Sequence, residues 1–128
     1  MKTLVRPFVF TAGLIGATLP VCAADLHIQL QGNGSFSHKT VSFTCDGNAV
    51  KLGLPAGVFP VEYINGAGNS LAVLPIGGKS LIFANVLSGS GARYAADRFT
   101  WSDGGQRGAF LSSDSLDGKA QTLCQMSK

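Results

Sequence analysis

The sequence predicts an all-β protein, a small antiparallel β-barrel of about eight strands that carries one disulfide. Apolar and polar residues alternate along most of the chain, which is the pattern of strands with one buried face. Turn signals rich in Gly, Asn and Asp separate these runs at even spacing. No segment repeats its apolar residues with the period of a helix. Short strands spaced in this way are typical of a small barrel around a single core.

The first residues of the chain predict an export signal. Lys2 and Arg6 precede an apolar stretch over residues 7–19, and small residues follow it. This order is typical of a secretory signal peptide, and the apolar stretch is too short to span a bilayer comfortably. We therefore expect a signal peptide over residues 1–24, with the mature chain beginning at Asp25.

Two details of this leader have alternatives. Cleavage one residue earlier, before Ala24, also satisfies the requirement for small residues. Lipid attachment at Cys22 is less favoured, because Val21 stands where a lipidation signal usually has Gly, Ala or Ser. We expect one soluble exported domain over residues 25–128, without a membrane anchor.

The charge and the cysteines of the mature chain restrict its partners and its stability. The full sequence has 10 basic and 7 acidic residues, and removing Lys2 and Arg6 leaves 8 against 7, a net charge of +1. Such a domain lacks the basic surface that nucleic acids or anionic membranes attract, so we expect neither as a partner. The two remaining cysteines, Cys45 and Cys124, form an even pair in an exported protein and predict one structural disulfide.

The strands can be assigned in chain order from the alternation. The first runs place Leu26, Ile28 and Leu30 on one face of a strand. Pro60 lies within a later run and indicates an edge strand or a bulge, because proline cannot donate to a ladder; an edge would leave room for a homodimer. We expect strands at residues 26–30, 41–45, 50–54, 58–64, 71–76, 80–87, around Tyr94, and at residues 98–101, 108–111 and 120–124.

Candidate catalytic and metal-binding residues are sparse. His27 and His38 are the two histidines, no Gly-x-Ser-x-Gly sequence supports a hydrolase nucleophile, and Glu62 is the single glutamate. With both mature cysteines in a disulfide, no closely spaced set of metal ligands remains. We expect a protein that is not an enzyme and that needs no metal or cofactor.

Three stretches resemble one known family. Residues 41–47, Val-Ser-Phe-Thr-Cys-Asp-Gly, are similar to the family's opening strand and its cysteine. Residues 90–94, Ser-Gly-Ala-Arg-Tyr, are similar to its Ser-Gly-x-x-Tyr motif, and Cys124 stands at the expected end of the barrel. The family is that of the membrane-bound and periplasmic inhibitors of c-type lysozyme in bacteria. The resemblance implies a periplasmic protein whose partner is a c-type lysozyme.

The resemblance also implies a binding loop. Ser90 and Gly91 would enter the active-site cleft of the lysozyme, with Tyr94 as a rigid contact and Arg93 as a charge. Since Arg93 and Tyr94 alternate on a strand, they face different surfaces, and the residue that enters the cleft stays open.

One departure from the family concerns its lysine, which usually precedes a glycine in the next turn. No lysine stands near Asp103 or Gly104, and we expect Arg107, or else Arg98, to supply the cation. The alternative function is a barrel that binds a small molecule or a cell-wall glycan in its mouth.

Overall fold

The computed structural model describes residues 23–115 and 118–128, and these form a closed antiparallel barrel. Each strand pairs with its neighbours in chain order, and the last strand returns to pair with the first. The predicted all-β barrel is therefore confirmed. The eight strands are β1 (Ser37–Cys45), β2 (Phe59–Gly66), β3 (Asn69–Ile76), β4 (Lys79–Val86), β5 (Ala92–Ala96), β6 (Phe99–Asp103), β7 (Ala109–Ser115) and β8 (Gly118–Met126).

The barrel interior is filled by the apolar side chains that alternate along the strands. Trp101 and Phe43 are fully buried and meet edge to face, with ring centroids 5.2 Å apart. The other large side chains with complete burial come from five further positions around the barrel: Phe59, Val61, Leu74, Phe83 and Leu111. Side chains of this size leave the barrel interior as a packed core rather than a ligand cavity.

The lower end of the barrel, which we define by the Gly77-Gly78 turn between β3 and β4, is closed by a short helix. The sequence predicted a strand at residues 50–54, and this prediction is wrong: Val50–Leu52 forms a 3₁₀ helix that Gly53 ends at a φ of 86°. The carbonyl of Gly53 accepts a 2.8 Å hydrogen bond from the Gly77 amide. Leu52 and Leu54 are buried here, so apolar residues two apart cover the barrel end instead of facing one side of a sheet.

A second predicted strand, at residues 26–30, is also absent. The structure gives these residues no strand pairing, and Leu26 and Ile28 are about two-thirds exposed, at 66% and 67%. The physical reason is the closure of the barrel: β1 already pairs with β2 on one side and β8 on the other. Closure leaves no full-length edge on which a further strand could add.

A disulfide holds the seam where the barrel closes. The β1–β8 pairing is short, running from Phe43 opposite Met126 to Cys45 opposite Cys124. The last of these pairs is the predicted disulfide, which joins residues 79 apart in sequence. A covalent bond therefore supports a short ladder of the barrel.

Pro60 indicated an edge strand or a bulge, and β2 as a whole is not an edge strand, because it pairs with both β1 and β3. Pro60 lies opposite Ser42 of β1, but the pairing of β2 with β3 begins only at Glu62. Pro75 of β3 likewise pairs with β4 alone. Both prolines thus occupy the region where β2 and β3 separate, and a missing amide donor is tolerated there.

The predicted signal peptide falls almost entirely on residues 1–22, outside the residues that the structure describes. In the described part of the chain, no helix is long and apolar enough to cross a membrane.

Candidate functional site

Two connections at the upper end of the barrel, opposite the Gly77-Gly78 turn, bring the predicted site residues together. Residues 87–91 connect β4 to β5, and residues 104–108 connect β6 to β7. Arg107 of the second connection donates a hydrogen bond from Nη2 to Oγ of Ser90 in the first, over 3.1 Å. We call these two exposed residues the Ser90–Arg107 pair. Residues 17 apart in sequence thus form one polar group at the surface.

The conformation of the first connection depends on Gly91. Its φ is +68°, in the left-handed region that glycine adopts without strain. A Cβ at this position would lie 2.5 Å from the carbonyl oxygen of Asp103, which is too close for any side chain. On the other side of Ser90, the Ser88 hydroxyl donates to the Ser90 carbonyl over 2.8 Å. Both contacts hold the backbone around Ser90 in place.

The second connection is a tight turn that presents Arg107. Gly105–Arg107 forms a 3₁₀ helix, and the Gly104 amide donates to the Gly108 carbonyl over 2.9 Å. The carboxylate of Asp103 accepts a 2.7 Å hydrogen bond from the Gly105 amide, which makes an Asx turn at the start of the helix. Arg107 is thereby placed at the end of a well-bonded turn.

Tyr94 and Arg93 face opposite sides of β5, as their alternation predicted. Tyr94 is only 5% exposed, and its ring centroid lies 5.8 Å from that of Tyr63 inside the barrel. Arg93 is exposed on the outer wall, where it lies opposite Val86 of β4 and Ser102 of β6. Tyr94 therefore lies in the core beside Tyr63, and Arg93 extends the exposed polar surface.

The hydroxyl of Tyr94 lies near the upper end of the barrel. It is 3.4 Å from the Ser70 hydroxyl, which donates its own proton to Oδ1 of Asn65 over 2.5 Å. A hydroxyl has one proton, so in this arrangement Tyr94 is the donor to Ser70. A small part of the tyrosine thus reaches polar groups at the barrel mouth.

A buried hydrogen-bonded chain ends at Asp103. The indole Nε1 of Trp101 donates to the Tyr63 hydroxyl over 2.9 Å, and that hydroxyl donates to Oδ2 of Asp103. Burial raises the pKa of the Tyr63 hydroxyl far above its usual range, and the hydrogen bond to Asp103 raises this pKa further. Tyr63 consequently stays protonated and remains a donor to Asp103.

Arg98, the second arginine considered for the cationic role, lies at the other end of the barrel. It is in the turn between β5 and β6, and its Cζ lies 5.0 Å from the centre of the Phe99 ring. Its carbonyl accepts a hydrogen bond from the backbone amide of Asp114, near the end of β7. Of the two arginines, the fold brings Arg107 to Ser90.

Two features of the site were missed from the sequence. Leu87, directly before the loop glycines, is 94% exposed; its place at the end of an alternating run indicated a strand residue. Asp103 contacts both connections, and it was considered only as a turn residue where the family has a lysine. Its contact with Tyr63 joins residues 40 apart in sequence, so no local pattern identifies it.

The two histidines of the chain lie on other elements than Ser90 and Arg107. His38 bonds to Glu62 over 2.8 Å on the exposed surface of β1 and β2, and His27 lies in the N-terminal segment before β1. Ser90 therefore has an arginine beside it and no histidine to act as a general base. Among the residues that the structure describes, no three potential metal ligands converge.

The fold and this site together define a class of protein: a small disulfide-bonded barrel with a packed core and a polar edge formed by two loops. Comparison with known proteins identifies the family to which the chain belongs. The family model described as membrane-bound lysozyme-inhibitor of c-type lysozyme matches residues 43–119. This match covers more than half of the chain, and the chain belongs to that family.

Known proteins of two bacteria are similar to this chain. A Pseudomonas aeruginosa protein named membrane-bound lysozyme inhibitor of C-type lysozyme is 38% identical over 76 residues, which are 59% of this chain and 54% of the relative. A Cupriavidus necator protein of the same name is 32% identical over 80% of each chain. The first match thus spans about half the length of its relative, and the second spans most of both proteins.

The same similarity extends to three dimensions. The structure of Pseudomonas aeruginosa MliC, solved in complex with hen egg white lysozyme, superimposes with a TM-score of 0.63 at 32% identity. The superposition covers 82% of this chain and 98% of that one. The barrel is therefore the fold of a protein that has been crystallised with a lysozyme.

Proposed function

We propose that this protein inhibits a c-type lysozyme by placing the Ser90–Arg107 pair in the active-site cleft of the enzyme. The observation that carries the proposal is the 3.1 Å hydrogen bond from Arg107 to Ser90 at one exposed edge of the barrel. Family membership supports the choice of partner, because the similar Pseudomonas aeruginosa protein was crystallised with hen egg white lysozyme.

The chemistry of the pair suits the chemistry of the target. A c-type lysozyme works with two carboxyl groups at the bottom of its sugar-binding cleft, one as general acid and one ionised. The Ser90 oxygen accepts a hydrogen bond from Arg107, so its own proton is available to donate to a carboxylate. The neighbouring guanidinium polarises this hydroxyl and strengthens it as a donor.

Arg107 takes the role that the family usually gives to a lysine. A guanidinium has five N–H donors, and one of them bonds to Ser90. The other N–H groups of Arg107 remain for a partner. Among the described residues, the ion pairs are His38–Glu62 and Lys119–Asp114, and neither includes Arg107. Its charge is therefore available to the ionised carboxylate of the enzyme.

The remaining residues of the predicted site have supporting roles. Gly91 allows the loop backbone to lie close to Asp103, and Tyr94, three residues further on, anchors the start of β5 in the core. Arg93, exposed on the outer wall, adds a positive charge at the rim of the contact. Rim charges of this kind mainly increase the association rate rather than the affinity.

We infer that the protein works in the cell envelope, where it protects the wall from lysozyme. The export signal predicted at residues 1–24 and the name of the family both support this location. A free periplasmic protein beginning at Asp25 remains our prediction over a lipid-anchored one attached through Cys22. The intact mass of the mature protein distinguishes the two, because acyl chains add to it.

Gel filtration of the purified protein with hen egg white lysozyme tests the proposed function. We expect a complex with one lysozyme for each barrel, and its loss when Ser90→Ala and Arg107→Ala are combined. A matched control is Ser112→Ala on β7, away from the upper end. A protein that ignores lysozyme but is retained on purified wall glycan would instead support the alternative, a glycan-binding barrel.

A further inference from the structure

We propose that Asp103 is a positioning residue for the Ser90–Arg107 pair. This inference rests on the proposed function and deepens it. Asp103 ends β6 and lies opposite Ala92 of β5 on one side and Ala109 of β7 on the other. The connection that carries Ser90 and the connection that carries Arg107 therefore leave the sheet on either side of this one residue.

The side chain of Asp103 joins the turn of Arg107 to the barrel core. One carboxylate oxygen accepts from the Gly105 amide over 2.7 Å, and the other accepts from the Tyr63 hydroxyl. Tyr63 is in turn held by the Trp101 indole, and both aromatic side chains are buried. The turn is thereby fixed to groups that cannot move without disturbing the core.

The main chain of Asp103 supports the other connection. Its carbonyl oxygen lies 2.5 Å from the position that a Cβ of Gly91 would take, so the loop backbone packs directly against it. Ser90 precedes Gly91, and Arg107 follows Gly105 by two residues. A single residue thus contacts the backbone beside both members of the pair.

The hydrogen bonds of Asp103 also explain how a carboxylate is tolerated at this site. A carboxylate that paired with Arg107 would neutralise its charge. The oxygens of Asp103 accept instead from the Tyr63 hydroxyl and the Gly105 amide, and the described ion pairs do not include an Arg107–Asp103 contact. Arg107 is left to bond Ser90 and the partner.

Asp103→Asn tests this role, because it puts an NH₂ donor in place of one of the two carboxylate oxygens, where the NH₂ group meets another donor, the Tyr63 hydroxyl or the Gly105 amide. The measurement is the dissociation constant of the full exported, disulfide-bonded protein for hen egg white lysozyme. We expect binding to weaken about tenfold, since a hydrogen bond to a charged group is lost near the contact. The matched control is Asp114→Asn, an exposed carboxylate near the end of β7 whose partner is Lys119.

A second variant separates positioning from general stability. In an Arg107→Ala background, Asp103→Asn should cause little further loss of binding, because it acts through the placement of Arg107. Equal losses in the two backgrounds would overturn the proposal. So would a lower melting temperature with unchanged affinity for each folded molecule, since that result describes a structural residue only.

Amide hydrogen exchange of the free protein tests the positioning role of Asp103 without lysozyme, and therefore independently of the proposed function. We expect Asp103→Ala, which has no side-chain acceptor, to speed exchange at Gly105, whose amide bonds to the carboxylate, while the Gly77 amide at the other end exchanges at its original rate. This result would support the positioning role even if the wild-type protein failed to bind lysozyme. Unchanged exchange at Gly105 would overturn it, whatever the binding result.

Discussion

The Ser90 hydroxyl has two hydrogen-bonding roles in the proposed complex, as acceptor from Arg107 and as donor to the enzyme. We expect Ser90→Ala and Arg107→Ala each to cost about 1–3 kcal/mol of binding free energy. The double variant should lose less than the sum, because each residue works through the other. Isothermal titration with lysozyme measures all three variants, and strictly additive losses would contradict a cooperative pair.

Substitution of Gly91 tests whether the loop needs its observed conformation. Gly91→Ala places a methyl group against the Asp103 carbonyl and forces a side chain into a left-handed φ of +68°. We expect a loss of about 1–3 kcal/mol in stability, together with weaker binding. The matched control is Gly89→Ala in the same loop, since a Cβ there meets nothing within 4 Å. Equal melting temperatures for the two variants would show that the loop does not rest on Asp103.

At the scale of single residues, the sequence predicted the candidate site residues but not the contacts between them. Ser90 and Gly91 were identified from a short motif, and Arg107 from its spacing after a departure from the family pattern. The alternation of β5 correctly placed Arg93 and Tyr94 on opposite faces. The alternation did not show which face of β5 points into the core, because tyrosine is common on buried and on exposed faces.

Among the elements that the structure describes, the hairpin between β2 and β3 has an unfavourable turn residue. Ala67 and Gly68 form its two-residue turn with φ values of 49° and 75°, and alanine is disfavoured in a left-handed conformation. We expect Ala67→Asn to stabilise the protein by about 0.5–1 kcal/mol, because Asn-Gly suits a type I′ turn. Urea denaturation checks this, and a lower unfolding midpoint would contradict it.

The elements that the sequence misjudged share one cause. The runs at residues 26–30 and 50–54 alternate like the true strands, but alternation reports only which side chains are apolar. Whether such a run finds a pairing partner depends on the rest of the barrel, which closes between β1 and β8. The strands predicted at residues 58–64 and 71–76 do form, and one reason is that a turn between them joins them into a hairpin.

For the whole molecule, the Cys45–Cys124 disulfide supports the closure of the barrel. It joins strands whose ladder runs only from Phe43 to Cys45 on β1, and it constrains a loop of 79 residues in the unfolded chain. We expect replacement of both cysteines by alanine to cost about 4 kcal/mol of stability. Urea unfolding of the oxidised protein and of this variant measures the difference. Equal unfolding free energies would show that the seam holds without its covalent bond.

The fold as a whole was predictable because several independent signals agreed. Alternation, turn residues and an even number of mature cysteines all indicated one small exported barrel, and the structure has eight strands in chain order. The Ser90–Arg107 pair was less predictable, since it depends on how two connections meet after closure. The room for a homodimer was inferred from an edge strand at Pro60, and in the closed barrel the strand that contains Pro60 pairs on both sides.

The most direct test of the inhibitor function is the rate at which hen egg white lysozyme clears a suspension of bacterial cell walls. The assay compares lysozyme alone with lysozyme mixed with increasing amounts of the oxidised wild-type protein or of the Ser90→Ala, Arg107→Ala double variant. We predict that the wild-type protein stops clearing near one barrel for each enzyme and that the variant requires a large excess. Unimpaired clearing in the presence of excess folded wild-type protein would contradict the inhibitor function for this lysozyme.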